Sequence, residues 1–318
     1  MASLRQILFA LAIPAALVAC GGSDDGLTPP TGPHFGFVVD SADVPNKADS
    51  LDLNPEEDNG NDNQLGQVLT TLGGQGFDIQ GTLDEAIQQG TIVLLLDFQS
   101  PNFDSTTGAG LRIKLGDMPN PAPCTDPLNP TPATCGKHLA GGATFTLSAS
   151  SPADAGVDGR IVGGVFTGGP GNIPLEIALA GSEPISLNLI GARAKATGLS
   201  ESSLGEVILA GGITETELDG TILPAIQAQL PGLIDEDCDV AAGPPTCGCT
   251  DGSTGETVIT LFDTSPKDCM VTVEEIKTNN LVQTLLAPDL IGFGPNGEDA
   301  VSLALRVTTV SASFPGID

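Results

Sequence analysis

The oxygen-bearing side chains best placed for chemistry lie between residues 263 and 275. This segment reads DTSPKDCMVTVEE, with hydroxyls and carboxylates separated by short steps. Proteins bind calcium with oxygen ligands at alternate early positions of a loop, and a terminal Glu supplies two further oxygens. The spacing therefore predicts a calcium site whose ligands are Asp263, Ser265, Asp268, the carbonyl of Met270, Thr272 and Glu275.

Helices are expected on both sides of this loop. Ser253-Thr-Gly-Glu256 has the spacing of a capping box, and a second apolar helical face follows the loop. Helix, acidic loop and helix over residues 253–287 resemble an EF-hand. The segment departs from that motif because Asp263 stands one residue too far upstream and Cys269 replaces the expected Gly. The alternative is a β-strand, an acidic turn and an ordinary helix.

A second acidic segment, residues 52–63, precedes an apolar helical pattern that starts at Leu65. It resembles the DxDxDG loops of EF-hand-like calcium sites, although no Glu closes it. These carboxylates could instead simply favour the N-terminus of the helix. The weaker candidate ligands are Asp52, Asn54, Glu56, Asp58 and Asp62.

The N-terminus predicts export and lipid attachment. One basic residue precedes an apolar run that is too short to cross a bilayer, which is typical of a cleaved signal peptide. Residues 17–20, Leu-Val-Ala-Cys, resemble the lipobox of bacterial lipoproteins. That resemblance implies that residues 1–19 are removed and that Cys20 carries acyl groups, palmitate among them. Gly21 after the cysteine then implies sorting to the outer membrane, with the membrane as a partner through these acyl groups.

Six cysteines remain beyond Cys20, and an even number in an exported chain predicts disulfides. Cys124 and Cys135 bracket a Pro-rich loop and are expected to pair with each other. The other four allow three pairings, one of which joins Cys238 to Cys247 and Cys249 to Cys269. His34 and His138 are the two histidines of the chain, which argues against a zinc site.

Composition excludes several classes of function. The net charge of −29 disfavours nucleic acid as a partner, because binding to phosphates needs Lys and Arg. The chain contains no Trp or Tyr, so it lacks the usual stacking surfaces for sugars and bases. GxSxG, HExxH and phosphate-loop motifs are missing, and His138, in a Pro-rich loop, is expected to be exposed. We therefore expect a protein that is not an enzyme.

The patterning predicts an α+β fold, mainly antiparallel β with a few short helices and an EF-hand-like helix-loop-helix near 253–287. Segments such as ATFTLSA, PLEIALAG and VSLALRVTTVSASF alternate apolar and polar residues, as strands with one buried face do. The last of these is expected to pair with the middle sheet. Residues 206–213 fit a strand or the start of a helix, and Thr82-Leu-Asp-Glu85 has capping-box spacing.

Domain organisation follows from composition. Residues 1–19 form the predicted signal peptide, and residues 20–34, rich in Gly and Pro, form a tether. Residues 35–100 are expected to be α+β, residues 101–235 a β-rich core, and residues 236–318 a disulfide-rich, EF-hand-like segment with a closing strand. Residues 35–318 are expected to form one integrated domain.

A wider arrangement of motifs also resembles known sequences. It combines Asp62-Asn-Gln-Leu-Gly66, Phe262-Asp263, Glu274-Glu-Ile276 and Leu285-Leu-Ala-Pro-Asp289. These motifs resemble a group of uncharacterised lipoproteins from myxobacteria-like organisms. The resemblance implies no particular activity.

Two functions of different class are compatible with these patterns. The first is a calcium-binding lipoprotein of the cell outer membrane with a structural or adhesive role. The alternative is a carrier of a lipid or another apolar ligand, because an aliphatic, Gly-rich sheet could curve around an acyl chain.

Overall fold

A computed structural model describes residues 26–56, 60–73, 79–177 and 185–317. The predicted signal peptide, the predicted lipidation site Cys20 and the predicted ligand Asp58 lie outside these residues. The strands are β1 (His34–Asp43), β2 (Leu94–Gln99), β3 (Ser105–Asn120), β4 (Ala143–Leu147), β5 (Gly156–Val162), β6 (Val165–Ile177), β7 (Ile185–Leu199), β8 (Leu204–Thr214) and β9 (Ala300–Ser313).

The helices are short and fall into two connections. Between β1 and β2 lie α1 (Gln64–Gly73) and α2 (Ile79–Gln89). Between β8 and β9 lie α3 (Glu215–Glu217), α4 (Leu223–Gln227), α5 (Leu230–Asp237), α6 (Thr254–Phe262), α7 (Val273–Thr278) and α8 (Asn280–Leu285). A π-helical turn, Leu218–Ile222, joins α3 to α4, and 3-10 turns occur at Lys47–Asp49, Lys137–Leu139 and Val240–Ala242.

Eight antiparallel strands close into a barrel in the order β1-β2-β3-β5-β6-β7-β8-β9. Closure occurs where β9 pairs with β1, for example Val38 with Val310 and Asp43 with Arg306. The Arg306 guanidinium also donates to the Asp43 carboxylate at 3.0 and 2.8 Å. The prediction of a mainly antiparallel sheet with a few short helices is confirmed. The final strand does pair with the middle sheet, but it pairs with the first strand as well.

Side chains fill the interior of the barrel. Successive residues of a strand point to opposite faces, so Leu94, Leu96 and Phe98 of β2 point inward. Large and small side chains are complementary across neighbouring strands, and Phe166 of β6 lies opposite Ala196 of β7. Phe98 and Phe166 meet edge to face with ring centroids 5.2 Å apart. Each such buried apolar side chain contributes about 1.5–3 kcal/mol to folding.

Strand β4 stands apart from the barrel and covers part of its outer surface. It pairs with the end of β3 and, in parallel, with the end of β9. Phe145 of β4 belongs to a buried cluster with Val38 and Leu95, which lie on the outer faces of β1 and β2, and with Val93 just before β2. This packing explains why Leu95, on the outer face of β2, is buried.

The direction of the strands places both helical connections at one end of the barrel. β1 and β8 both run antiparallel to β9, so they end at the same side. Residues 28–31 enter at the opposite side, where Thr28 and Thr31 donate backbone hydrogen bonds to Thr107 and Gly108 at the start of β3. The chain that leads toward Cys20 therefore leaves the barrel at the end remote from the helices.

Two local predictions are settled by tertiary contacts. Residues 206–213 form β8, because they pair on both sides with β7 and β9. The capping-box interpretation of Thr82 is wrong, since α2 begins at Ile79 and Thr82 lies inside the helix. The helix extends further because Gln80 donates to the Ala42 carbonyl at 2.8 Å and anchors its first turn to β1.

The expectation that His138 is exposed is also wrong. Its side chain is fully buried, with its ring 6.2 Å from that of Phe145, because the disulfide-bonded loop packs against the end of α2. Neither ring nitrogen has a hydrogen-bond partner among the described residues. Burial lowers the pKa of His138 below its ordinary value of 6.5, and the nearby Ile87 carbonyl opposes part of that shift.

Acid should therefore weaken the fold through His138. The pKa of His138 is lower in the folded chain than in the unfolded chain. The unfolding free energy is therefore undiminished above pH 6.5 and falls as the pH drops below 6.5. Between pH 7.5 and 5.5, we expect the wild-type protein to lose about 1 kcal/mol of unfolding free energy through His138. His138→Leu should abolish this loss. Urea unfolding followed by circular dichroism measures this loss. His34→Gln, the control, should retain it; equal acid sensitivity in His138→Leu would contradict the prediction.

Candidate functional site

The helices form a layer on one end of the barrel, and an apolar groove runs through this layer. Leu65 and Leu69 of α1 pack into the barrel core, which fixes α1 against it. Gln64 strengthens this contact, because its backbone N–H donates to Ser302 Oγ at 2.7 Å. Its side-chain amide donates to the Leu285 carbonyl at 2.9 Å, which links α1 to α8. The groove lies between these helices.

The groove has a volume of about 270 Å³. Its walls come from α1 and α4 to α8 and are almost entirely aliphatic. The lining residues are Leu65, Val68, Leu69, Thr71, Leu223, Ile226, Leu230, Thr254, Thr257, Val258, Leu261, Phe262, Ile276, Leu281, Val282, Leu285 and Leu286. A cavity lined in this way is poorly suited to water and well suited to an apolar ligand.

Apolar side chains also reach solvent at the rim of the groove. Leu261 and Leu281 line it, and their exposed fractions are 40% and 51%. Exposed apolar residues next to a cavity are typical of a ligand entrance or an interaction surface. The barrel interior is filled, so the space for a ligand lies in the helical layer and not inside the curved sheet.

Two disulfides brace the helical layer. Cys238, at the end of α5, pairs with Cys249, and Cys247 pairs with Cys269. The suggested pairing of Cys238 with Cys247 is therefore wrong, because the turn after α5 brings Cys249 back beside Cys238 while Cys247 faces Cys269. The predicted Cys124–Cys135 bond is present.

The acidic loop between α6 and α7 is closed by carboxylates that accept backbone hydrogen bonds. Asp263 is buried and accepts from the amides of Asp268 and Cys269 at 3.1 and 2.9 Å. One oxygen of Glu275 accepts from the amides of Thr264 and Ser265 at 3.0 and 3.2 Å. The carboxylates at the two ends of the loop thus hold its two arms together.

The other oxygen of Glu275 completes a capping box at the start of α7. It accepts from the Thr272 amide and hydroxyl, both at 3.0 Å, while the Glu275 amide donates to the Thr272 hydroxyl. Burial alone would raise the pKa of Glu275, but these hydrogen bonds outweigh it and hold the pKa below its ordinary value of 4.5. The spacing Thr-x-x-Glu in the sequence is the signal for this cap.

The remaining predicted ligands of this loop do not share one arrangement. Asp268 accepts from the Met270 amide at 3.1 Å, and the Met270 side chain is 61% exposed. Ser265 is exposed and contributes its amide to Glu275. Cys247, Asp263 and Cys269 lie close enough to share a metal, but the two sulfurs are bonded to each other and are not thiolates.

The second acidic segment is only partly assembled. Asp62 is buried and accepts from the Leu53 amide at 2.7 Å, which holds Asp62 beside Leu53. Asp52 and Asn54 are half-buried and Glu56 is exposed. One oxygen of Asp52, Oδ1, is buried without a hydrogen-bond partner among the described residues.

Sequence reasoning missed the groove because its lining is distributed over segments up to about 220 positions apart. The apolar faces at residues 65–72 and 273–286 were visible as helical patterns. The sequence does not indicate that these faces meet without filling the space between them.

The chain matches no family model, no curated protein and no solved structure. Within the parts of the chain that the structure describes, no helix combines the length and apolar character needed to cross a lipid bilayer.

The carboxylate of Glu275 should stabilise the loop whether or not calcium is present. Glu275→Gln places an N–H group against the amide donors, so we expect a loss of about 1–3 kcal/mol in unfolding free energy. Circular dichroism at several urea concentrations, in chelator and again in millimolar calcium, measures it. Glu274→Gln, at the exposed neighbour, is the control and should be near neutral. A loss that appears only in calcium would contradict a purely structural role.

Proposed function

We propose that this protein binds a single acyl chain in the groove of its helical layer and serves as a lipid carrier of the cell envelope. The observation that carries the proposal is the groove itself, a space of about 270 Å³ whose walls are mainly Leu, Ile and Val. Ligand sites commonly measure about 300–1,000 Å³, so this groove suits a slender ligand.

The chemistry of the walls favours an aliphatic ligand. Phe262 is the single aromatic residue among the lining side chains that the structure describes, so an aromatic ligand would find little stacking surface. None of these lining side chains is charged. Thr71 and Thr257 also line the groove, but their hydroxyls donate to the Gln67 and Ser253 carbonyls within or next to their own helices. A flexible hydrocarbon chain meets these conditions best.

The predicted lipid anchor would determine which way the groove faces relative to the membrane. Residues 28–31 lie at the end of the barrel opposite the helices, so a chain attached at Cys20 would hold the groove away from the membrane. In this proposal the protein is a lipoprotein of the outer membrane, and its ligand site faces away from the membrane surface. Its charge of −29 disfavours nucleic acid as a partner.

Calcium binding is a second candidate, and one observation favours it. The unpartnered Oδ1 of Asp52 is a buried oxygen within the predicted ligand set of residues 52–62. The EF-hand-like interpretation of residues 253–287 stays a prediction. A cation bound by Asp263 and Glu275 would have to replace their hydrogen bonds to backbone amides.

The acyl-chain proposal predicts saturable binding of 1-decanol that is blocked when the groove is filled. Thr257 lies on α6 at the exposed edge of the groove, so Thr257→Trp places an indole in the cavity without disturbing the core. We expect Kd to rise about tenfold, which corresponds to about 1.4 kcal/mol. Isothermal titration calorimetry measures the binding, and a negative heat-capacity change should accompany it.

Thr260→Trp is the matched control for this experiment. Thr260 is also exposed on α6 but does not line the groove, so the same substitution should leave Kd unchanged. Linear, unsaturable heats with the wild-type protein, or equal effects of the two tryptophans, would contradict acyl-chain binding in the groove.

The calcium candidate predicts saturable heat when calcium is titrated into chelator-stripped protein. Dissociation constants of about 10⁻⁴–10⁻³ M are typical of extracellular sites. Asp52→Asn should abolish this heat, whereas Asp49→Asn, at an exposed carboxylate outside the predicted ligand set, should not. The absence of heat at millimolar calcium would remove this candidate.

A further inference from the structure

A second cavity, of about 310 Å³, adjoins the apolar groove. The two share the side chains of Leu223, Val282 and Leu286 as a common wall. The lining of this second cavity, the chamber, is mixed: Glu215, Asp219, Lys277 and Gln283 stand beside apolar residues such as Leu218 and Val301. The groove has no charged lining residue and the chamber has three, so together they match an amphiphile with a hydrocarbon tail and a polar head.

The chamber contains more negative than positive charge. Lys277 donates to the carboxylate of Asp219, and this contact, followed by the charges of Asp219, Glu215 and Glu274, raises the pKa of Lys277. The lysine is therefore charged at neutral pH, but two carboxylates of the lining, Glu215 and Asp219, accompany it. An anionic head group would meet this excess of carboxylates and the field of a chain with charge −29.

We propose that the chamber lined by Glu215, Asp219 and Lys277 receives the head group of the bound lipid and selects a zwitterionic head that carries an ammonium over an anionic one. This inference rests on the proposed binding of an acyl chain in the adjoining groove. The ammonium faces Glu215 and Asp219, while the phosphate of the same head faces Lys277. Such a head matches both signs of charge in the chamber, whereas a phosphoglycerol head matches only the lysine.

The test compares two monoacyl lipids that have the same chain of about 12 carbons, so that the apolar contribution to binding is equal. One carries a phosphoethanolamine head and the other a phosphoglycerol head. Isothermal titration calorimetry at low ionic strength should give about fivefold tighter binding of the phosphoethanolamine lipid, a difference that added salt reduces. Glu215→Gln should remove most of this preference.

Glu201→Gln is the matched control. Glu201 is exposed between β7 and β8, at the end of the barrel opposite the helices. Glu201→Gln therefore lowers the net negative charge by the same amount as Glu215→Gln without changing the chamber. The preference should survive in this variant. Equal binding of both lipids, tighter binding of phosphoglycerol, or an equal effect of both substitutions would overturn the head-group inference while leaving acyl-chain binding intact. Failure of both lipids to bind would overturn the proposed function as well.

Discussion

The pairing of β9 with β1 is the constraint on which the rest of the structure depends. It joins the last strand to the first and closes the barrel, so each of the eight strands has a neighbour on both sides. Because β1 and β8 both run antiparallel to β9, the connections after β1 and β8 emerge at one end. The helices of these two connections can pack only against that end and against each other. The groove is the space that this packing leaves open.

The barrel and the helical layer have different structural roles. The barrel is filled by side chains such as Phe98, Phe166 and the small residues opposite them, which makes it a rigid support. The helical layer consists of short helices that would be marginal alone. Two disulfides and the hydrogen bonds of Asp263 and Glu275 hold it. Rigid support beneath a braced but incompletely packed layer is a suitable basis for a ligand groove.

Much of the local structure could be predicted from the sequence, and less of its assembly. Alternation predicted several of the strands, whereas residues 206–213 fitted a strand or a helix, and the helical face that begins at Leu65 predicted α1. Closure could not be predicted, because nothing in the local pattern of residues 300–313 distinguishes pairing with one strand from pairing with two. The roles of the loop carboxylates were equally ambiguous, since Thr272 and Glu275 have the spacing of metal ligands and of a capping box at once. In the structure these two residues form the capping box of α7.

The location of a bound chain is the most direct test of the groove as a ligand site. Nuclear Overhauser effects between 1-decanol and the labelled methyl groups of leucine would report it. Contacts are expected at Leu261, Leu281 and Leu285, which line the groove, and not at Leu96 or Leu111 inside the barrel. Contacts confined to barrel leucines, or no contacts at saturating decanol, would contradict the assignment of the groove as the acyl-chain site.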